Sequence, residues 1–164
     1  MIFNILNKIK FYSLIFTSNL INLYDMKGNT TFTMIKPDAV SAGNTGAIIK
    51  IIEDNGFQII AIKKTQLTAN RAGQFYEIHK ERPFYKDLCN YMSSGPIVPI
   101  ILRKENAVDD FRKLIGATDP SKAEPGTIRS LFAKSIEANA IHGSDSDENA
   151  EIEATFFFSK LERF

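Results

Sequence analysis

Four short stretches of the chain carry the hydrophobic pattern of strands. They either alternate apolar and polar positions, are rich in β-branched residues, or, in residues 97–102, are almost wholly apolar. Such stretches predict strands, and the run 97–102 is expected at the centre of a sheet although Pro99 is awkward inside one. The predicted strands are residues 31–36, 57–67, 97–102 and 140–142.

Helical spacing of apolar positions fills the intervals between these strands. Four isoleucines recur at that spacing in residues 46–55, and Gly56 follows as a stop signal. Strands separated by helices favour an α/β sandwich with one sheet, either ferredoxin-like or doubly wound. The other predicted helices are residues 68–79, 85–92, 106–115, 127–135 and 145–161, with a long loop at 116–126.

Residues 1–25 differ in composition from the rest of the chain. Ile, Asn, Phe, Leu, Lys and Tyr fill 20 of these 25 positions. This bias favours upstream sequence translated from an early start, with the natural start at Met26 and one domain over residues 26–164. The alternative is a targeting segment, because Lys8 and Lys10 precede an apolar stretch. That stretch is too polar and too short for a spanning helix, so no membrane association is expected.

Composition and charge limit the classes of function. The net charge is +1, and two lysines against one acid in residues 1–25 account for it. A neutral domain has no global field for nucleic acid, so no specific nucleic-acid partner is predicted. A single cysteine, Cys89, fits a reducing compartment and predicts a cytoplasmic protein. P-loop, dinucleotide-binding and HExxH motifs do not occur, so phosphate binding would depend on side chains and helix ends.

The chain contains two histidines, His79 and His142. His79 lies among charged residues, which favours a solvated surface position. His142 follows a short apolar segment, and spacing alone favours an ordinary strand-end histidine. The last predicted helix changes this balance, because Glu153 shares its apolar face and an inward carboxylate needs a partner. A carboxylate on one ring nitrogen would leave the other nitrogen free to attack, with Ser144 able to join the network.

Several other side chains suit a phosphate or nucleotide ligand. Arg112 and Arg129 flank the loop that contains Thr118, and arginine binds phosphate through a bidentate fork. Each base is, taken alone, more often a surface charge. Lys36 closes the first strand, where an exposed strand-end lysine is the ordinary interpretation. Phe84 follows Arg-Pro and could stack on a base, although core packing is a slightly better interpretation without further context.

Six blocks of the sequence resemble the nucleoside diphosphate kinase family, in the family's order and at consistent spacing. The most specific is residues 139–146, NAIHGSDS, which resembles the family's active-site signature. The resemblance runs from about residue 31 to the end of the chain. The other blocks are residues 33–40, 82–84, 92–96, 116–120 and 125–129.

The resemblance implies a ferredoxin-like βαββαβ sandwich, with a four-stranded antiparallel sheet covered by helices. It also implies a role for each matching residue. His142 would be phosphorylated at Nδ1, Glu153 would orient its other nitrogen with Ser144 in the same network, and Tyr76 would pack beside the ring. The remaining implied nucleotide ligands are Lys36 and Asn139 on the sugar, Arg112, Thr118 and Arg129 on the phosphates, and Phe84 on the base with Leu88 and Ile136 beside it.

The resemblance further implies a ping-pong reaction between nucleoside tri- and diphosphates. Mg²⁺ would be held through nucleotide phosphates, without direct protein ligands, and the subunits would form a homo-oligomer, a tetramer or hexamer built from dimers. Two other hypotheses compete with this one. An inactive family-like binding module should have lost a matching residue, and none is lost. A nucleic-acid reader on a ferredoxin-like sheet would need exposed strand aromatics and a basic face.

Overall fold

The computed structural model describes residues 28–164, so the expectations for residues 1–25 lie outside the described residues. The strands are β1 (Thr30–Ile35), β2 (Gln58–Ile62), the short β3 (Thr65–Gln66), β4 (Pro96–Arg103) and β5 (Ile141–Gly143). Four of them form the main sheet in the spatial order β2, β4, β1, β5, and every pairing is antiparallel. This order confirms the ferredoxin-like βαββαβ sandwich and excludes the doubly wound alternative, which needs a mostly parallel sheet.

Helices cover both faces of the sheet, because the strands alternate their apolar side chains between two cores. The helices are α1 (Pro37–Ser41), α2 (Thr45–Asp54), α3 (Ala69–Phe75), α4 (Tyr85–Ser93), α5 (Ala107–Ile115), α6 (Ile128–Phe132) and α7 (Asp147–Phe157), with 3₁₀ turns at Glu77–His79, Pro120–Lys122 and Lys160–Glu162. One core joins Ile35, Ile100 and Leu102 to α2 and α5, and the other joins Phe32 and Met34 to α4 and α7.

Pro99 lies inside the central strand β4 without breaking it. Its carbonyl accepts a hydrogen bond from the Lys63 N–H at 3.2 Å, so its nitrogen faces the same side, where β2 has ended and β3 has not begun. In an antiparallel ladder the N–H and C=O of one residue point to the same neighbour. The proline therefore occupies a gap in the ladder, and the predicted strand 57–67 is divided there into β2 and β3.

Other element boundaries also differ from the sequence prediction. The last helix ends at Phe157 instead of residue 161, and α6 ends at Phe132. Thr127, the first residue of the predicted helix 127–135, precedes α6; its hydroxyl donates to the Glu124 carbonyl at 2.7 Å and does not cap the helix. Helix α1 was not predicted, because Pro37 suggested a turn; proline is equally suited to the first position of a helix.

Candidate active site

His142 lies on the edge strand β5, directly opposite Met34 of β1. The Thr33 hydroxyl donates to the His142 carbonyl at 2.6 Å, which fixes the backbone at this point. The next residue must be small, since a Cβ at Gly143 would lie 2.9 Å from a methyl of Ile115 on α5. The short strand therefore holds the imidazole at one end of the sheet, with its side chain 20% exposed.

Helix α7 brings a carboxylate to the imidazole. Ser146 caps the helix by accepting a hydrogen bond from the Asn149 N–H at 3.1 Å. One helical face is buried at Ala150 and Ala154, as the sequence pattern predicted, and Glu153 lies between them in sequence with its side chain 18% exposed. The register of this face turns Glu153 towards His142.

The contact between these two side chains is a hydrogen bond of 2.9 Å from His142 Nε2 to Glu153 Oε2. The Ser144 hydroxyl donates to the same carboxylate oxygen at 2.5 Å. A carboxylate can only accept in this geometry, so Nε2 carries the proton, and in the neutral imidazole Nδ1 keeps its lone pair. The arrangement suits a nucleophile that reacts at Nδ1.

Aromatic rings enclose the other sides of His142. Phe75 meets the imidazole edge-to-face at a centroid distance of 5.6 Å, and Tyr76 does so at 6.4 Å. The Tyr76 hydroxyl is buried with no hydrogen-bond partner among residues 28–164. Burial, followed by the nearby charge of Glu153, raises the pKa of Tyr76, so the phenol stays protonated. It is a donor without a protein acceptor beside the imidazole.

Cationic side chains line the same cleft. Lys36 is buried, and its Nζ donates to Asn139 Oδ1 at 2.7 Å. Burial, with the nearby charge of Arg129, lowers the pKa of Lys36 to about 8. Arg129 is itself anchored to the carbonyls of Gly116 at 2.8 Å and Ile141 at 3.0 Å. Its pKa falls to about 10 through burial and then the nearby Arg112, so it is cationic at neutral pH.

A cleft of about 1170 Å³ joins these groups, and almost every residue singled out from the sequence lines it. Ser144 is the exception; it is buried and reaches the site through Glu153. Phe84 and Ile136 are exposed by 49% and 58%. The ordinary alternative for Phe84, core packing, is therefore wrong. The predicted residues that line the cleft are His142, Glu153, Tyr76, Lys36, Asn139, Arg112, Thr118, Arg129, Phe84, Leu88 and Ile136.

His79 is a cleft residue that the sequence interpretation missed. It is half-buried, its ring stacks on Tyr76 at 6.4 Å, and it contacts the Phe84 ring at 5.8 Å. The expected solvated surface position is therefore wrong. The signal was the spacing of three residues from Tyr76, which brings two side chains to one face of a helical turn. Charged neighbours in sequence concealed it.

Residues 28–164 contain no group of three or more His, Cys, Asp and Glu side chains arranged to hold a metal ion. The same residues contain no helix that is long and apolar enough to span a membrane. The cleft instead presents Lys36, Arg112 and Arg129, which attract anions. These donors fit a ligand that carries a metal on its own phosphate oxygens.

Fold and site together define a class of protein. An imidazole with one free nitrogen lies in a cleft that also presents the cations Lys36, Arg112 and Arg129, and exposed apolar side chains, Phe84 and Ile136, line the same cleft. This combination is typical of a phosphotransferase that acts through histidine on a nucleotide-sized substrate.

Comparison with known proteins specifies the family. The family model described as nucleoside diphosphate kinase matches residues 29–163. A nucleoside diphosphate kinase of Prosthecochloris aestuarii is 61% identical over 80% of this chain and 94% of its own length. That of Flavobacterium psychrophilum is 57% identical over 85% of this chain and its whole length. The chain belongs to the nucleoside diphosphate kinase family and is a phosphotransferase.

A solved structure supports the same assignment at the level of the fold. The crystal structure of the Aquifex aeolicus nucleoside diphosphate kinase superposes with a TM-score of 0.81 at 42% identity. The match covers 83% of this chain and 99% of that one. The match therefore includes the sheet, the helices on both of its faces and the cleft.

Proposed function

We propose that the chain transfers the γ-phosphate of a nucleoside triphosphate, typically ATP, to a nucleoside diphosphate through a phosphohistidine at His142. The observation that carries this proposal is the 2.9 Å hydrogen bond between His142 Nε2 and Glu153, which leaves Nδ1 free. Family membership supports the reaction. The residue roles rest on the geometry of the cleft.

In the first half-reaction His142 Nδ1 attacks the γ-phosphorus. The bond from that phosphorus to the bridging oxygen of the β-phosphate breaks, and the nucleoside diphosphate leaves with the bond's electron pair. The ring becomes positively charged as the new N–P bond forms, and Glu153 stabilises that charge at Nε2. Ser144 holds the carboxylate in place. A second diphosphate then takes the phosphoryl group by the reverse of these steps.

The cationic wall of the cleft aligns and stabilises the phosphates. Arg112, Arg129 and Lys36 supply positive charge, and the hydroxyls of Thr118 and Tyr76 supply neutral donors. Phosphoryl transfer depends mainly on such alignment and charge stabilisation. The Tyr76 hydroxyl has no hydrogen-bond partner among residues 28–164, which supports a role as a donor to a phosphoryl group on His142.

The mouth of the cleft holds the nucleoside. The exposed Phe84 ring stacks on the base, with Leu88 and Ile136 beside it, while Lys36 and Asn139 bind the sugar hydroxyls. Stacking uses the face of a base and does not read its hydrogen-bonding edge. We therefore expect broad specificity for the base.

Members of the family use a divalent metal ion, and here we propose Mg²⁺ carried on the nucleotide phosphates. When bound, the ion offsets the phosphate charge that the cationic side chains leave unbalanced.

We also propose that the chain forms a homo-oligomer, a tetramer or hexamer built from dimers, in the cytoplasm. Strand β2 is at the edge of the sheet; its last residue, Ile62, is 45% exposed, and Phe164 beside the strand is 87% exposed. Phe164 is placed there by a hydrogen bond from its N–H to the Ile60 carbonyl. An exposed strand edge with apolar neighbours is suited to pairing with a second copy. Light scattering after size-exclusion chromatography measures the subunit number.

Incubation with γ-labelled ATP tests the central claim. The chain should acquire phosphate that is labile in acid and stable in alkali, and His142→Ala should abolish it. Because the chain has two histidines, His79→Asn is the matched control and should still accept label. An unlabelled wild-type protein, or label that persists in His142→Ala, would contradict the proposal.

A further inference from the structure

Ala140 has an unusual backbone for a residue with a side chain. Its φ is +66°, in the left-handed region, and it is fully buried. The Ile141 N–H donates to the Asn139 carbonyl at 2.8 Å, so Ala140 is the centre of a tight three-residue turn. Turns of this kind are strained and persist only where surrounding contacts enforce them.

This turn decides where two proposed ligands lie. Asn139 precedes Ala140, and its side-chain oxygen accepts from Lys36 Nζ at 2.7 Å. The Lys36 N–H also donates to the Ala140 carbonyl at 2.9 Å. A change in the backbone conformation at Ala140 would therefore displace both the amide of Asn139 and the ammonium of Lys36, the pair that we assign to the sugar hydroxyls.

One carboxylate supplies the contact that holds the turn. Asp38 Oδ2 accepts a hydrogen bond from the Ala140 N–H at 3.1 Å, across 102 positions of sequence. Its other oxygen, Oδ1, accepts from the Tyr91 hydroxyl at 2.6 Å. Tyr91 belongs to α4 and Asp38 to α1, so the carboxylate fastens the turn to two helices.

The same carboxylate affects the charge of Lys36. Burial and Arg129 lower the pKa of Lys36, whereas the negative charge of Asp38 raises it. Asp38 lies in the block 33–40 that resembles the family, and none of the roles assigned so far uses it. It is half-buried, and it does not line the cleft.

We propose that Asp38 is a positioning residue that holds the strained turn at Ala140, and through it Asn139 and Lys36, in the geometry that binds nucleotide. The inference rests on the proposed function, because it assigns Asn139 and Lys36 to the nucleotide. Asp38 touches no substrate. Tyr91 limits the rotation of its side chain.

Binding of ADP, measured by calorimetry without turnover, tests this role. Asp38→Ala leaves the Ala140 N–H buried without its acceptor, and we expect ADP to bind roughly tenfold more weakly, with a matching fall in kcat/KM. Asp38→Asn keeps an oxygen for the Ala140 N–H and an amide for the Tyr91 oxygen, so its loss should be smaller. Asp54→Ala, at an exposed ion pair with Lys50, is the matched surface control and should bind as wild type.

Rescue separates positioning from general stability. Glycine adopts a positive φ without penalty, so Ala140→Gly in the Asp38→Ala background should recover a substantial part of ADP binding. Asp38→Ala that melts at a lower temperature but binds ADP as wild type would overturn the proposal, as would a double variant with no recovery. If Asp38→Ala does not fold, Tyr91→Phe removes the second anchor and should weaken ADP binding about threefold; unchanged binding would overturn the role.

The outcome is distinguishable from failure of the proposed function. If wild-type protein takes no label from ATP while Asp38→Ala still loses ADP binding, the phosphohistidine reaction is wrong and the positioning role stands. If label forms normally but ADP binding ignores Asp38, the positioning role alone is wrong.

Discussion

The floor and the rim of the cleft are built differently. We define the floor as His142, Ser144, Glu153 and Tyr76, and the rim as Phe84, Arg112, Thr118 and Ile136. Floor residues are buried or half-buried, and His142, Ser144 and Glu153 form one hydrogen-bonded chain. Rim residues are all exposed, and within residues 28–164 the side chains of Arg112 and Thr118 have no hydrogen-bond partner.

The difference agrees with the role that we propose for each region. An attacking nitrogen must belong to one tautomer and hold one orientation before substrate arrives. The protein therefore supplies the partner of Nε2 and leaves Nδ1 for the substrate. Groups that bind a ligand need free donors and uncovered apolar surface, because the ligand supplies the missing contacts. Changes in the floor should therefore slow the chemical step, and changes in the rim should weaken binding.

The largest expected effect comes from the floor. Glu153→Gln keeps the size of the side chain but removes the charge that stabilises the imidazolium, so we expect kcat to fall at least about a hundredfold. The Kd for ADP should change little, because Glu153 contacts His142 and Ser144. Single-turnover phosphorylation and calorimetry measure the two quantities. A loss confined to affinity would contradict the orienting role.

A rim variant should raise KM and leave kcat largely unchanged, the opposite of the floor variant. Phe84→Ala removes the stacking surface, and stacking contributes about 1–3 kcal/mol per base, so KM should rise about tenfold or more. The kcat value should stay close to wild type, and purine and pyrimidine nucleotides should both be affected. Steady-state kinetics with ADP and with a pyrimidine diphosphate provides the check. A fall in kcat as large as the rise in KM would remove the distinction between floor and rim.

The pH profile sharpens the comparison at Lys36, a buried cation on the cleft wall. Its pKa is lowered to about 8, so the free protein loses this charge as pH rises through that value, and kcat/KM should fall to about half near pH 8. Bound phosphate favours the protonated lysine, so the fall of kcat should occur at a higher pH than the fall of kcat/KM. In Lys36→Met this alkaline fall of kcat/KM should vanish. A fall that persists in the variant would belong to another group and would contradict the assignment to Lys36.

The smallest effect is expected for removal of residues 1–25. Neither the floor nor the rim includes any of them, so kcat and KM should stay within about twofold of the full chain. Parallel kinetics and melting curves of the two proteins provide the test. Loss of active, folded protein on removal would show that the proposed domain 26–164 is too short.

Glu153 in the floor was predictable from the sequence, whereas the position of His79 in the cleft was not. Glu153 was found because a helix repeats every 3.6 residues and its neighbours Ala150 and Ala154 are apolar, which is a local signal. His79 was misjudged, since its charged neighbours in sequence say nothing about the rings of Tyr76 and Phe84 that meet it in space.

Long-range contacts explain what local patterns missed. The ladder gap that accommodates Pro99 exists only because β2 and β3 end and begin on either side of it. No local rule predicts a positive φ at Ala140, because the carboxylate that accepts its N–H is 102 positions away. Lys36 and Asn139 are likewise joined across 103 positions.

By itself, the sequence determined the order of the strands and helices other than α1 and the division of residues 57–67 into β2 and β3, the apolar face of α7, and the blocks whose resemblance identifies the family. Periodicity and short motifs are properties of neighbouring residues, so they can be read along the chain. Only the tertiary structure decided that β5 lies beside β1, that His79 packs against Tyr76 and Phe84, and that Asp38 reaches Ala140. These contacts depend on how distant segments pack in three dimensions.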